Sequence, residues 1–274
     1  MTGGALHREA APGPSDLALR IGSAAVLLAL ALVAAWLGGW PAAIVIAAMS
    51  AIVSLEWAWV TEGRVAPTAV FTGALAAAVL VAAAGQPTAA ALIVAVALVG
   101  AAAVARQPWR PLGVIYAAMF GFGLLFLRFS PDFGLPAIVV LFAVVWVTDT
   151  AAFFAGKLIG GARLWPRVSP GKTWAGAIGG FAAGTAAGVL AASAYGVAAN
   201  WLVVAVCAGL SVAAQAGDLF ESLVKRRFGA KDASTLVPGH GGLMDRVDGL
   251  TFAAALAAAV GWFTGGPVAF SSGP

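Results

Sequence analysis

The residues best suited to chemistry gather in one segment, 222–248, which reads SLVKRRFGAKDASTLVPGHGGLMDRVD. It holds several lysines and arginines, three aspartates and a histidine, in a chain of which only 9% is charged. Basic side chains neutralise phosphate, whereas Mg²⁺ prefers a few carboxylates together with water and phosphate oxygens. The segment therefore predicts a site that handles phosphate and metal.

A polar helical face leads into this segment. Asp218, Ser222 and Lys225 are spaced i, i+4 and i+7, with Glu221 beside them, so they share one face of a helix. A carboxylate within an apolar helix costs about 2.5–3.5 kcal/mol at the bilayer centre and therefore needs a partner. A metal ion or the basic cluster would supply one. An interfacial Asp–Lys pair that only anchors the helix explains the same spacing.

Two further carboxylates begin the next apolar run. Asp245 and Asp248 are three residues apart, so they also share a helical face. Acidic residues are common in the first turn of a helix, which explains one aspartate better than two. With Asp218 and Asp232 close in sequence, the pattern favours a Mg²⁺ site.

The basic and glycine-rich parts of the segment suit phosphate. The cluster Lys225, Arg226, Arg227 and Lys231 could bind phosphate, although such clusters also set membrane topology or attract anionic lipids. The turn 238–242, PGHGG, places His240 between glycines that permit positive φ and close backbone approach. Such a turn before a helix N-terminus can bind an anion, and a plain flexible loop is the alternative.

A second polar loop opens another helix with the residues 169–174, SPGKTW. Ser169, Lys172 and Thr173 are candidates for holding phosphate or ribose. Upstream, Asp149 lies inside an apolar run, where an ionisable residue is a functional hypothesis by default.

The composition indicates what must position these residues. The chain has 274 residues, of which 62% are hydrophobic, and its mean hydropathy is +0.98. Soluble domains carry about 25% charged residues, so this is an integral membrane protein. Cys207 is the only cysteine, which excludes disulfides within the chain and thiolate clusters; with two histidines it argues against zinc.

The predicted fold is all-α and polytopic, because a helix of about 20 apolar residues spans the hydrocarbon core. Nine runs meet this criterion approximately, at 18–37, 41–60, 66–84, 88–105, 112–129, 136–155, 174–195, 200–221 and 244–263. They divide the chain into a disordered tail (1–16), N-terminal helices (17–135), C-terminal catalytic helices (136–264) and a short tail (265–274).

The basic residues predict the orientation. With nine spans and a cytoplasmic N-terminus, every lysine and arginine except Arg128 falls on the inner side, as the positive-inside rule expects. The C-terminus then lies outside. The polar loops 156–173 and 222–243 both face the cytoplasm, which places the expected chemistry on the inner face of the membrane.

The segment resembles a known family. Ser222-x-x-Lys225-Arg226, Lys231-Asp232, 238–242 and Asp245-Arg246-x-Asp248 are similar to the diagnostic pattern of phosphatidate cytidylyltransferases, also called CDP-diacylglycerol synthases. The stretches around Gly217-Asp218 and Asp149-Thr150 fit the same family. The loop 169–176 fits with two departures, because Gly171 and Ala175 stand where the family usually has lysine and glutamate.

The resemblance implies a reaction of CTP with phosphatidate that yields CDP-diacylglycerol and pyrophosphate in phospholipid biosynthesis. It implies Mg²⁺ on Asp218 and Asp245 with Asp149 or Asp248 nearby, a second cation such as K⁺, and a homodimer. The implied catalytic residues are Asp218, Lys225, Arg226, Lys231, Asp232, His240, Asp245, Arg246 and Asp248. The implied substrate-binding residues are Ser169, Lys172, Thr173, Ser222, Gly241 and Gly242.

Two other functions are weighed against this one. A CTP-dependent membrane lipid kinase would transfer the γ-phosphoryl group and release CDP. A membrane transporter would place its charges near the bilayer midplane, commonly between repeats, whereas here they gather at one face.

Overall fold

The computed structural model describes residues 14–63, 68–105, 108–131, 133–239 and 241–264. In these ranges the chain forms nine α-helices and one two-stranded hairpin. The helices are α1 (Pro14–Leu37), α2 (Gly39–Glu62), α3 (Ala69–Ala83), α4 (Pro87–Val104), α5 (Trp109–Arg128), α6 (Gly134–Leu158), α7 (Trp174–Ala194), α8 (Trp201–Arg227) and α9 (Met244–Phe263).

The predicted all-α membrane fold is confirmed, with one helix for each apolar run. Within the described residues, seven of these helices are long and apolar enough to cross a membrane. The shorter apolar helices are α3 and the stretch Ile21–Leu37 of α1. Helix α1 begins at Pro14, inside the segment assigned to the polar tail; residues 1–13 and 265–274 lie outside the described ranges. The orientation of the helices stays a prediction.

Glycines bring α6 and α7 into unusually close contact. Gly176, Gly180, Gly184 and Gly188 recur every four residues and are all buried on one face of α7. A Cβ atom at Gly180 would lie 2.7 Å from the carbonyl oxygen of Thr148, and one at Gly176 would lie 2.7 Å from that of Ala152. Only small residues allow helix backbones to approach this closely in a membrane. The glycines therefore fix α7 against the helix that carries Asp149.

An aromatic cluster holds α2, α5, α8 and α9 together. The ring of Trp57 lies 5.1 Å from that of Tyr116 and 6.1 Å from that of Phe220, which in turn lies 5.3 Å from Phe252. The indole nitrogen of Trp57 donates a 2.7 Å hydrogen bond to the carbonyl oxygen of Trp109, as a buried tryptophan requires. This cluster lies directly beneath the polar ends of α8 and α9.

Arg128, the one basic residue expected outside, ends α5 and binds the end of another helix. Its Nε donates to the carbonyl oxygen of Ala35 at 2.7 Å, and its guanidinium also reaches the carbonyl oxygen of Trp36 at 3.3 Å. These carbonyls belong to the last turn of α1, where a cation is favourable. Arg128 thereby joins α1 to α5.

The segment 156–173, expected to be a loop, contains a small antiparallel hairpin. Strand β1 (Arg163–Trp165) pairs with β2 (Ser169–Thr173), with Arg163 opposite Thr173. Strands this short have too few residues to show an alternating pattern, so the sequence did not reveal them. The hairpin connects α6 to α7 and carries Lys172.

Candidate active site

A cavity of roughly 710 Å³ lies between α6, the hairpin, α7 and α8. We call it the hairpin cavity. Its charged and polar lining includes Asp149, Lys157, Arg163, Ser169, Lys172, Thr173, Gln215 and Asp218. Ser169, Lys172 and Thr173 therefore line the same space as Asp149 and Asp218.

Lys172 and Asp218 form an ion pair across this cavity, from β2 to α8. About a third of the Asp218 side chain stays exposed. Asp149 and Asp248 are near enough for their negative charges to act on Asp218 and on each other, and Lys172 is the cation that acts on both. Three helices thus bring three carboxyl groups to one place beside Lys172.

The hairpin residues have local structural roles as well. The Thr173 side chain accepts a 3.0 Å hydrogen bond from the backbone N–H of Gly176 and so caps the N-terminus of α7. The guanidinium of Arg163 donates a 3.1 Å bond to the carbonyl oxygen of Gly171. This bond keeps the Arg163 side chain against the strand that bears Lys172.

Lys225, in the last turn of α8, pairs with two buried carboxyl side chains. Its ammonium nitrogen is 2.6 Å from Oδ1 of Asp245 and 2.9 Å from Oε2 of Glu221, and the two carboxylate side chains are only 4% and 1% exposed. Buried charges persist only when they are paired in this way. Lys225 and Asp245 therefore connect α8 to α9 and do not project into the hairpin cavity.

Asp245 also holds the loop that precedes α9. Its Oδ2 accepts hydrogen bonds from the backbone N–H groups of Ala233 at 2.9 Å and Gly242 at 2.8 Å. A Cβ atom at Gly241 would come within 2.8 Å of the same oxygen, and Gly241 has a φ of +82°. A glycine is therefore required at position 241 on both steric and conformational grounds.

The glycine-rich turn is closed by one backbone bond, from the N–H of Val237 to the carbonyl oxygen of Gly241 at 2.8 Å. Gly239 has a φ of +75°, which glycine adopts without strain. The predicted positive-φ glycines are thus present. His240 lies outside the described residues.

A second, smaller cavity of roughly 520 Å³ lies on the other side of this loop. We call it the loop cavity. Its lining includes Lys231, Asp232, Gly239, Gly241 and Arg246. The predicted site residues thus lie in two cavities, with the Lys225–Asp245 pair as a further group, rather than in one pocket.

Three other predicted residues, Arg226, Ser222 and Gly242, line neither cavity. Arg226 is exposed. The Ser222 hydroxyl lies 3.5 Å from Oδ1 of Asp218, which is a long hydrogen bond. Gly242 is buried, and a Cβ atom there would lie 2.9 Å from the carboxylate oxygens of Glu56.

The residues differ in how well they fit a divalent cation. Within the described ranges, no three histidine, cysteine, aspartate or glutamate side chains are placed to ligate one metal ion together. Asp245 has both oxygens engaged by Lys225 and backbone N–H groups. Asp218 and Asp149 line a cavity with room for an ion and its waters, and about a third of the Asp218 side chain is exposed. The fit is therefore better at Asp218 than at Asp245.

Sequence reasoning did not single out several residues of the site. Lys157 and Arg163 line the hairpin cavity but were assigned only to membrane orientation. Glu221 was noted beside Asp218, but its pairing with Lys225 is tertiary. The only sequence signal for Glu56 is a lone acidic residue in an apolar run, and its partners are 178 to 188 positions away.

Comparison with known proteins agrees with the geometry. The model of the cytidylyltransferase family matches residues 18–264. A phosphatidate cytidylyltransferase from Brucella suis is 53% identical over 148 residues, which cover 54% of this chain and 55% of the relative. One from Staphylococcus aureus is 42% identical over 138 residues, or 49% of this chain and 52% of the relative.

These alignments span about half the length of the relatives. The family model, in contrast, extends from the start of α1 to the end of α9. Because this match covers most of its length, the chain belongs to the cytidylyltransferase family.

Proposed function

We propose that the protein is a phosphatidate cytidylyltransferase that converts CTP and phosphatidate to CDP-diacylglycerol and pyrophosphate. Membership of the cytidylyltransferase family and the names of the relatives support this reaction. The cytidylyl group would be transferred at the hairpin cavity, at the polar ends of the membrane helices.

The observation that carries the proposal is the charge pattern of the hairpin cavity. Lys157, Arg163 and Lys172 supply three cationic side chains, opposite the carboxylates of Asp149 and Asp218. A triphosphate needs cations along its length, and its metal ion needs carboxylates. A volume of roughly 710 Å³ is large enough for a nucleotide.

The chemistry requires no nucleophilic side chain. An oxygen of the phosphatidate phosphate attacks the α-phosphorus of CTP and forms a new P–O bond. The bond from the α-phosphorus to the oxygen that bridges the α- and β-phosphates breaks, and pyrophosphate leaves with that oxygen. The protein positions the two phosphates in line and neutralises the charge that moves to the leaving group. Lys172 and Lys157 suit that second task, Arg163 can bind a phosphate that does not react, and Gln215 can donate hydrogen bonds to the nucleotide.

Mg²⁺ is part of the proposal, with Asp218 as its main protein ligand and Asp149 and Asp248 beside it. When bound, the ion would neutralise phosphate oxygens and polarise the α-phosphorus. Lys172, now paired with Asp218, would then be free to turn to a phosphate. The second cation such as K⁺ and the ligand role of Asp245 stay predictions.

We place the protein in the inner membrane of the cell as a multi-pass protein with both cavities facing the cytoplasm. The clustering of Lys157, Lys172, Lys225 and Lys231 near these cavities supports that side, because cytoplasmic loops carry the excess of basic residues. A homodimer is implied by the family resemblance alone, and cross-linking in native membranes tests it.

The deciding experiment is an assay of purified protein with CTP, phosphatidate and Mg²⁺ in detergent micelles. We expect CDP-diacylglycerol and pyrophosphate in equal amounts, and no product after chelation of the metal. Release of CDP with a phosphorylated lipid would identify a CTP-dependent kinase instead. A lack of any CTP turnover across lipid substrates would contradict both enzymes.

A further inference from the structure

Glu56 is a buried carboxylate in α2, far in sequence from the proposed site, yet it binds the loop that precedes α9. Glu56 is only 5% exposed. Oε1 accepts hydrogen bonds from the Ser234 hydroxyl at 2.5 Å and from the backbone N–H of Leu243 at 2.9 Å. Oε2 accepts one from the N–H of Met244 at 2.6 Å. One carboxylate thus holds both ends of the segment 234–244.

The position suits a carboxylate and no other side chain. Two of the three donors are backbone N–H groups that cannot rotate away, and they meet different oxygens of Glu56. Glutamine, with one oxygen and one NH₂ group, would place its NH₂ against one of those N–H groups in either orientation. The N–H groups also belong to the first turn of α9, where a negative charge is favourable.

Two carboxylates therefore hold the glycine-rich turn from opposite sides. Glu56 binds Ser234, Leu243 and Met244, whereas Asp245 binds Ala233 and Gly242. Gly242 lies between them, since a Cβ atom there would meet both Glu56 oxygens at 2.9 Å. The shape of the turn depends on both acidic groups.

We propose that Glu56 is a positioning residue for catalysis: it fixes Leu243 and Met244 at the start of α9, the helix that carries Asp248 beside Asp218. The N-terminal helices then contribute directly to the site instead of serving only as a membrane scaffold. The inference rests on the proposed function only for the measurement of kcat/KM. The accessibility of the loop can be measured by labelling even in a protein that turns over no CTP.

The test compares Glu56→Gln with Glu62→Gln, a matched change on the same helix. Glu62 is bound by Arg110, whose Nε lies 2.8 Å from its Oε1, and among the described residues no hydrogen bond joins it to the loop. Both variants lose one carboxylate that accepts side-chain or backbone hydrogen bonds, so both lower thermal stability. We expect Glu56→Gln to reduce kcat/KM for CTP at least about tenfold per folded molecule, and Glu62→Gln to change it less than about twofold.

A second variant and a second readout keep the test independent of folding and of activity. Ser234→Ala removes one donor and leaves the backbone bonds, so we expect a smaller loss in the same direction. In a Val237→Cys background, maleimide should label the loop several-fold faster with Glu56→Gln than with Glu62→Gln, since Val237 and native Cys207 are both buried.

The outcomes are distinct. Equal labelling rates and unchanged kcat/KM in Glu56→Gln would overturn the positioning role. Faster labelling with unchanged kcat/KM would also overturn it, because the loop would then move without consequence for the reaction. If the wild-type protein turned over no CTP, the proposed function would fail, and the labelling rates alone would still report whether Glu56 fixes the loop.

Discussion

The ammonium nitrogen of Lys225 lies 2.6 Å from Oδ1 of Asp245, so an ion pair joins α8 to α9 beneath the loop that connects them. Glu221 shares the same lysine. Lys225 thereby pairs with two buried carboxyl groups, while Asp218, two turns earlier on α8, lines the hairpin cavity and pairs with Lys172.

Lys225→Met is expected to destabilise the protein strongly. It leaves the side chains of Glu221 and Asp245 buried without their cation, and breaking a buried pair in this way costs about 3–5 kcal/mol. The measurement is the thermal unfolding midpoint in detergent. Arg226→Met is the control, because Arg226 is exposed and its loss should shift the midpoint little; equal shifts for the two variants would contradict the buried pair.

Asp218→Asn is expected to abolish Mg²⁺-dependent turnover and leave the protein folded. Its ion pair with Lys172 is partly exposed, so it contributes less than about 1 kcal/mol to stability. Activity should fall at least about a hundredfold with an unchanged unfolding midpoint. Ser222→Ala, one turn along the same face, should retain most activity, since its bond to Asp218 is long. Near-normal turnover in Asp218→Asn would rule out its metal role.

Arg163→Met should raise the KM for CTP more than it lowers kcat. Its side chain lines the hairpin cavity and is bound to the carbonyl oxygen of Gly171, so we expect it to bind a phosphate that does not react. Steady-state kinetics at varied CTP concentrations measures both constants. Arg167→Met is the control, because Arg167 lies in the same hairpin but does not line the cavity; a matching rise in KM there would point to general surface charge instead.

Gly180→Ala is expected to destabilise the contact of α7 with α6. The added Cβ atom would lie 2.7 Å from the carbonyl oxygen of Thr148, which is a backbone atom and cannot turn aside. Overpacking of this kind costs about 1–3 kcal/mol. Gly73→Ala in α3, where a Cβ atom meets nothing within 4 Å, is the matched helix control and should be neutral or stabilising.

Arg128→Met tests the contact between α5 and α1. Loss of the hydrogen bonds to Ala35 and Trp36 should cost about 1.5–3 kcal/mol, because they involve a charged donor. Limited proteolysis in detergent should then release α1 earlier than in the wild-type protein.

A reporter fused after Pro274 should remain on the outer side in both proteins; a cytoplasmic reporter would contradict the predicted topology.

The helices could be predicted from sequence because membrane helices need long apolar runs, and glycine, proline and asparagine separate most of the runs here. The face with Asp218, Ser222 and Lys225 could be predicted too, since i, i+4 spacing places residues on one side of a helix. The partners of these residues could not be predicted. Lys225 binds Asp245 and Asp218 binds Lys172, and both pairings depend on how whole helices pack.

Glu56 shows why part of the site escaped sequence reasoning. It stands alone in an apolar run, and an isolated acidic residue has no spacing that could suggest a partner. Its hydrogen-bond partners become neighbours only when α2 packs near the start of α9. The hairpin was missed for a different reason, since its strands are too short for periodicity.

The glycine face of α7 has a mechanical consequence. With Gly176, Gly180 and Gly184 against carbonyl oxygens of α6, α6 and α7 cannot slide past each other without a steric clash. The hairpin is tethered at both ends to this pair, so Asp149 and Lys172 belong to one rigid wall of the cavity. Any widening that admits a lipid headgroup must therefore come from the opposite wall, where α8 carries Asp218.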